Sequence, residues 1–207
     1  MKRMVAFTFG CALSTLAAAG SWTMEASYAP ANINPQVAAA NQVAEEVGNG
    51  WEFGGSYGTR YLRGRASAGF YSPEDFNVSS IVVSNGSDTY TIDNEAGFYS
   101  FTLEAVAEYN HMRWVHAGVG VGRMFLSGQR SYSMPDGGYC SNCPSNEEFD
   151  LTGGYFVRPT LSINLLNGHN HPDPSAYLSL QVGYQKFLTE SGLQDNIQTG
   201  ISFKFVN

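Results

Sequence analysis

After its first twenty residues the sequence has no long apolar run, and a membrane-spanning helix needs about 20 such residues. A helical membrane protein is therefore excluded. Charge is scarce, with Asp, Glu, Lys and Arg making up only 14% of 207 residues. Acidic residues outnumber basic ones by 18 to 11, a net charge of -7. That leaves no basic footprint, so no nucleic-acid partner is expected. Cysteine is rare too: Cys11 lies in the leader, leaving Cys140 and Cys143. No long repeat and no linker divides the chain. What it has in abundance is 23 Gly, 12 Tyr and 13 Phe. High glycine, many aromatics and low charge suit a β protein with an aromatic belt, and a mildly negative mean hydropathy fits a barrel with a polar interior.

The N-terminus reads as an export signal. Lys2 and Arg3 form a basic start, Met4 to Leu16 is apolar and uncharged, and Ala17-Ala18-Ala19 offers a cleavage site, so residues 1–19 are expected to be a signal peptide. A cut after Ala29 is the alternative, with Pro30 against it. Residues 20–48 are rich in Ala and poor in aromatics. Val37, Ala40, Val43, Ala44 and Val47 have roughly helical spacing, and Asn34 can cap a helix whose first residue is Pro35. We expect a short helical or disordered segment there on the periplasmic side, with the barrel proper at 49–207.

From Trp51 onward the pattern alternates. Trp51, Phe53, Tyr57 and Tyr61 oppose Glu52, Ser56 and Arg60; Arg63-Gly64-Arg65 either turns this strand or continues it. Asn85-Gly86 is the strongest hairpin signal. Tyr99, Phe101, Leu103, Ala105 and Ala107 oppose Glu104 and Glu108, and Val115 to Val121 opposes His116 and three glycines. Pro159 inside 151–166 predicts a bulge. Six strands are clear: 51–61, 97–109, 113–127, 151–166, 175–188 and 195–206. Outer-membrane barrels have an even number of strands from eight. The Asn85-Gly86 hairpin with 65–71 would supply the missing pair; a six-stranded protomer with a β-rich insertion at 72–96 is the other option. The apolar faces end in Trp51, Tyr109, Trp114, Tyr155, Tyr177, Phe187, Phe203 and Phe205, as interfacial girdles do.

The last strand, NIQTGISFKFVN, places Gln198, Gly200, Phe203 and Phe205 near the C-terminus. This resembles the C-terminal assembly signal of bacterial outer-membrane barrels, although such chains usually end on the aromatic. Together with the strand pattern, the chain resembles the small OmpA/OmpX-like barrels. The resemblance implies an all-β, antiparallel up-and-down transmembrane barrel in the bacterial outer membrane. It also implies contact with outer-membrane lipid and lipopolysaccharide, and recognition of the last strand by the barrel-assembly machinery.

Charged residues on the polar faces must pair inside so narrow a barrel, which predicts a lumen cluster of Arg60, Glu104, Glu108 and Arg158. A gated conduction path is the competing use of the same residues. His111 and His116, with Ser100 and Glu104, raise a lipid-A hydrolase, but that chemistry needs its groups on the lipid-facing surface. His169-Asn170-His171-Pro172-Asp173 raises a metal site, yet reads better as a solvated turn. No catalytic residue, metal or cofactor is assigned. Cys140 and Cys143, in a long acidic loop at 133–150, are expected to form a disulfide in an exported chain. The expected function is non-enzymatic: a structural or surface-interaction barrel, with a possible extracellular ligand through loop 133–150. A narrow porin-like channel or a lipid-A-modifying enzyme are the alternatives.

Overall fold

The computed structural model describes residues 20–41, 50–59, 61–71, 78–85, 88–109, 114–133, 147–149, 151–167 and 176–206. Ten strands form in order: β1 (Ser21–Tyr28), β2 (Gly50–Gly58), β3 (Leu62–Tyr71), β4 (Val78–Asn85), β5 (Asp88–Tyr109), β6 (Val115–Ser133), β7 (Glu147–Phe149), β8 (Tyr155–Asn167), β9 (Ala176–Phe187) and β10 (Asn196–Val206). One short helix, α1 (Pro35–Asn41), follows β1.

Eight of these strands close an antiparallel barrel in the order β1-β2-β3-β5-β6-β8-β9-β10, with β1 returning to β10. The eighth wall strand is not the one expected. The hairpin around Asn85-Gly86 exists, but β4 pairs only with the outer part of β5, as β7 does with β6. The missing wall strand is β1, so the barrel begins at Ser21 and not at residue 49. Composition alone groups residues 21–28 with a periplasmic segment. Their alternation is nevertheless complete: Ser21, Thr23 and Ser27 are buried inward, and Trp22 and Met24 are exposed outward.

The register fixes the two ends. Ser21 lies opposite Gly58 and Val206, so the start of β1, the finish of β10 and the β2–β3 turn share one end with the β5–β6 and β8–β9 connections; this is the terminal end of the barrel. The opposite, loop end carries residues 29–41, the β4–β5 and β6–β7 extensions and the 188–195 turn. Helix α1 therefore sits at the end opposite to the start of β1 and the finish of β10. Asn34 caps it as the spacing predicts, its Oδ1 accepting from Gln36 N at 3.0 Å.

Three further expectations change. Arg63-Gly64-Arg65 lies inside β3, because the turn comes earlier, with Thr59 N donating to Leu62 O at 2.8 Å. Pro159 causes no register shift; the β8–β9 ladder skips Arg158 and Pro159, and the irregularity falls between Asn164 and Leu166. Tyr177 and Phe187 share the lumen parity of β9, with Tyr177 against the His116 ring and Phe187 against Phe156. The outer wall is otherwise as the alternation requires, with Phe53, Tyr99, Leu103, Val121, Leu180 and Ile201 all exposed. In lipid such a surface is the favourable one, since strand-to-strand pairing around a closed ring satisfies the backbone of the wall without water.

Candidate functional site in the lumen

The lumen is built in layers by inward side chains of all eight wall strands. Nearest the chain termini, Glu108 of β5 meets three cationic or titratable partners. It pairs with Arg63, accepts from Lys204 Nζ at 2.7 Å, and lies 3.5 Å from His116 Nδ1. His116 Nε2 is 3.2 Å from Asn164 Nδ2, and Ser179 donates to Asn164 Oδ1 at 2.6 Å.

The middle layer is a denser network. Arg65 reaches Glu25 at 2.8 Å, Glu104 at 3.0 Å and Glu52 at 3.4 Å. Arg158 lies 3.3 Å from Glu52 and 3.8 Å from Glu104. Glu52 also accepts from Ser67 at 2.6 Å and from Gln198 at 3.3 Å. Glu52 and Arg158 are each 1% exposed, so neither charge is tolerable without the other. Gly120 faces this layer because a Cβ there would run into the Glu104 carboxylate.

The network balances. Glu25, Glu52, Glu104 and Glu108 are four carboxylates; Arg63, Arg65, Arg158 and Lys204 are four cations. What remains open among them is a polar cavity of about 50 Å³, room for a few water molecules.

Above the charges the inward face turns apolar. The inward parity of β1 continues past its end as Ala29, Ala31 and Ile33, all buried. These and Ala38 of α1 pack on Tyr71, Phe98, Met124 and Phe156 of the wall, with Phe149, Leu151 and Leu193. Tyr71 and Phe98 stack with ring centroids 4.1 Å apart. Backbone bonds hold the segment in place: Asn34 N donates to Gly192 O at 2.7 Å and Gln194 N to Asn32 O at 2.8 Å. Arg130 donates to Asn41 O at 3.1 Å. This is an apolar cap across the loop-end mouth.

Of the residues expected in the lumen, Glu104, Glu108 and Arg158 are there, and Arg60 lies outside the described residues. Arg63, Arg65, Glu25, Glu52 and Lys204 were missed as members. Arg63 and Arg65 lie where the sequence leaves a turn and a continued strand both open, and Glu25 in a stretch that composition sets apart; parity alone finds Glu52 and Lys204. Ser100 and His116 are buried in the lumen and not on the lipid face. His111, the His169–Asp173 stretch and Cys140 and Cys143 lie outside the described residues, and no metal-binding group of His, Cys, Asp and Glu occurs among the described ones. Of the stretch 133–150, Ser133 ends β6 and Glu147–Phe149 form β7; 134–146 and 150 are outside the described residues.

The four residues expected to form a C-terminal signal all lie on β10, the strand that pairs with β1 to close the ring. Gln198 faces in and donates to Glu52 and to Gln185, the latter at 2.9 Å. Gly200 lies opposite Ser27, where a Cβ would meet the Ala26 carbonyl. Phe205 faces out and stacks on Trp22 of β1 with ring centroids 4.2 Å apart, and Phe203 packs on Phe205 at 4.5 Å.

An eight-stranded, closed, antiparallel barrel with an apolar exterior and an ion-paired interior defines the class: this is a small β-barrel of the outer-membrane type. Among solved structures the chain is similar to Neisserial surface protein A, with 10% identity over 90% of this chain and 96% of that one and a TM-score of 0.47. It is also similar to Ail, the attachment invasion locus protein of Yersinia pestis, with 11% identity over 90% and 97% and a TM-score of 0.37. At these values neither likeness speaks to function. No protein-family model matches the sequence, and no curated protein matches it.

Proposed function

We propose that the protein resides in the bacterial outer membrane as a non-enzymatic barrel, with its chain ends in the periplasm and its loop end outside. Its role is structural or one of surface interaction, exercised through the loop end. The observation that carries this reading is the filled lumen: charges paired across the middle and an apolar cap over the loop-end mouth. A solute path would need a continuous wet bore. Against a lipid-A-modifying role, Ser100, Glu104 and His116 point into the lumen, away from where an acyl ester would lie.

Two measurements test the reading. The protein should fractionate with the outer membrane and migrate differently on unheated and heated gels; recovery from the soluble periplasm would end it. In planar bilayers the purified barrel should give no discrete conductance steps, and regular steps would favour the narrow channel.

Replacing Phe205 by serine removes the stack on Trp22 and one aromatic of the terminal signal. Membrane insertion should fall severely, whereas deleting Asn207 should have little effect; heat-modifiable protein in the outer-membrane fraction is the readout. Equal insertion of the two variants would mean that these aromatics are not what the assembly machinery reads.

A Cys140–Cys143 bridge would close a very small ring, whose entropic contribution to stability is small. Its role would be to shape the loop. Cys140→Ser with Cys143→Ser should leave heat-modifiability unchanged while altering surface binding. Intact-mass measurement should find the thiols oxidised, and alkylation without prior reduction would refute the bridge.

A further inference from the structure

Most of the charge in the described wall is turned inward. All four wall carboxylates whose side chains are described, Glu25, Glu52, Glu104 and Glu108, face the lumen, as do Arg63, Arg65, Arg158 and Lys204. Two cations do the opposite. Arg123 of β6 and Lys186 of β9 are exposed on the outer face, among residues otherwise suited to lipid. A cation at the bilayer midplane of a barrel wall costs roughly 2–4 kcal/mol, falling to about 0–1 near the interface. Outward cations are therefore stable only near a headgroup layer.

Both sit at the loop end. Arg123 follows the apolar outward run Val115, Ala117, Val119 and Val121, and its Cα partner on β8 is Tyr155, the first residue of that strand. Lys186 is the penultimate residue of β9 and lies opposite Val157 of β8. Two strand spacings and a two-residue offset put the two Cα atoms about 12 Å apart, close enough for both side chains to touch one headgroup. The Arg123 guanidinium lies over the Phe125 ring at 4.9 Å and the Tyr155 ring at 5.3 Å. A guanidinium held against rings keeps its forked N–H edge free to bond two oxygens of one acceptor, the bidentate geometry that suits phosphate. Among the described residues, neither cation has a side-chain ion pair. Of the two acids in the adjoining turn, Asp195 accepts from Tyr184 Oη at 3.1 Å and from Phe187 N at 2.8 Å, and Glu190 is exposed.

We infer that Arg123 and Lys186, with Tyr155 between them, form a site on the outer wall for the phosphate of an outer-leaflet glycolipid, lipopolysaccharide. This rests on the outer-membrane orientation proposed above. The aromatics and the apolar wall below them take the acyl part, and the two cations take the phosphate.

The purified barrel in detergent is titrated with lipopolysaccharide, with the same lipid after phosphatase treatment and with inorganic phosphate, and bound lipid is read by native mass spectrometry. Arg123→Gln with Lys186→Gln should weaken retention of the phosphorylated lipid by about tenfold or more, the value of one charge-assisted contact. Dephosphorylation should weaken binding to the unsubstituted protein by a similar factor. Arg123→Lys, which keeps the charge but loses the stacked fork, should fall between. Unchanged retention by the double variant, or equal binding of the dephosphorylated lipid, would overturn the site. Displacement of the lipid by millimolar inorganic phosphate would reassign it to free phosphate and overturn the lipid. Fractionation separates the two levels: absence from the outer membrane defeats the orientation and this site with it. Correct location with unchanged retention defeats the site alone.

Discussion

Replacing Glu52 by alanine should destabilise the barrel by on the order of 3–5 kcal/mol, the usual cost of leaving one charge of a buried pair uncompensated. Glu52 accepts from Arg65, Arg158, Ser67 and Gln198 at 2.6–3.4 Å. Without it, Arg158 keeps only the 3.8 Å approach to Glu104, and the lumen holds four cations against three carboxylates. Unfolding by denaturant in detergent micelles, followed by tryptophan fluorescence, measures the loss. The control is Glu52→Met combined with Arg158→Met. It returns the balance to three against three and replaces a costly ion pair with apolar volume, so its stability should lie much nearer the unsubstituted protein. A single-variant loss below about 1 kcal/mol, the range of solvent-screened pairs, would mean that the network is wet.

Replacing Ile33 by alanine should loosen the cap and spare the wall. Ile33 is fully buried and forms an isolated bridge with Leu193. Truncating such a side chain costs about 2–5 kcal/mol. The segment is held by a few hydrogen bonds and its apolar contacts, while the wall is held by eight strand–strand ladders, so opening should be local. Hydrogen exchange at the amides of Asn34 and Gln194 should speed up by roughly 30-fold or more, since 1.4 kcal/mol is a factor of ten. The global unfolding midpoint should move little. If both amides keep their protection, the cap does not depend on Ile33. If the whole barrel melts early, cap and wall form one cooperative unit.

Much of the architecture was legible in the sequence because a membrane barrel wall imposes a two-residue period. Tyr99 to Tyr109 and Asn196 to Val206 state their faces without ambiguity, since each outward residue must suit lipid and each inward one must suit a polar lumen. The same rule assigned Glu104, Glu108 and Arg158 to the interior. It also holds for Ser21 to Tyr28, although the Ala-rich, aromatic-poor composition of residues 20–48 points the other way. In that stretch composition masks both Glu25 and the start of the barrel.

The sequence by itself determined that this is a β-barrel with an apolar outside and charges within, because alternation, glycine and aromatic content are local properties of each strand. Only the tertiary structure decided which strand closes the ring, which carboxylate meets which guanidinium, and that residues 29–41 cap the loop-end mouth. Those facts depend on register across strands far apart in sequence: Trp22 against Phe205, Glu52 against Arg158 and Ile33 against Leu193. Two-residue periodicity says which face a side chain takes, and ring closure alone says what it faces.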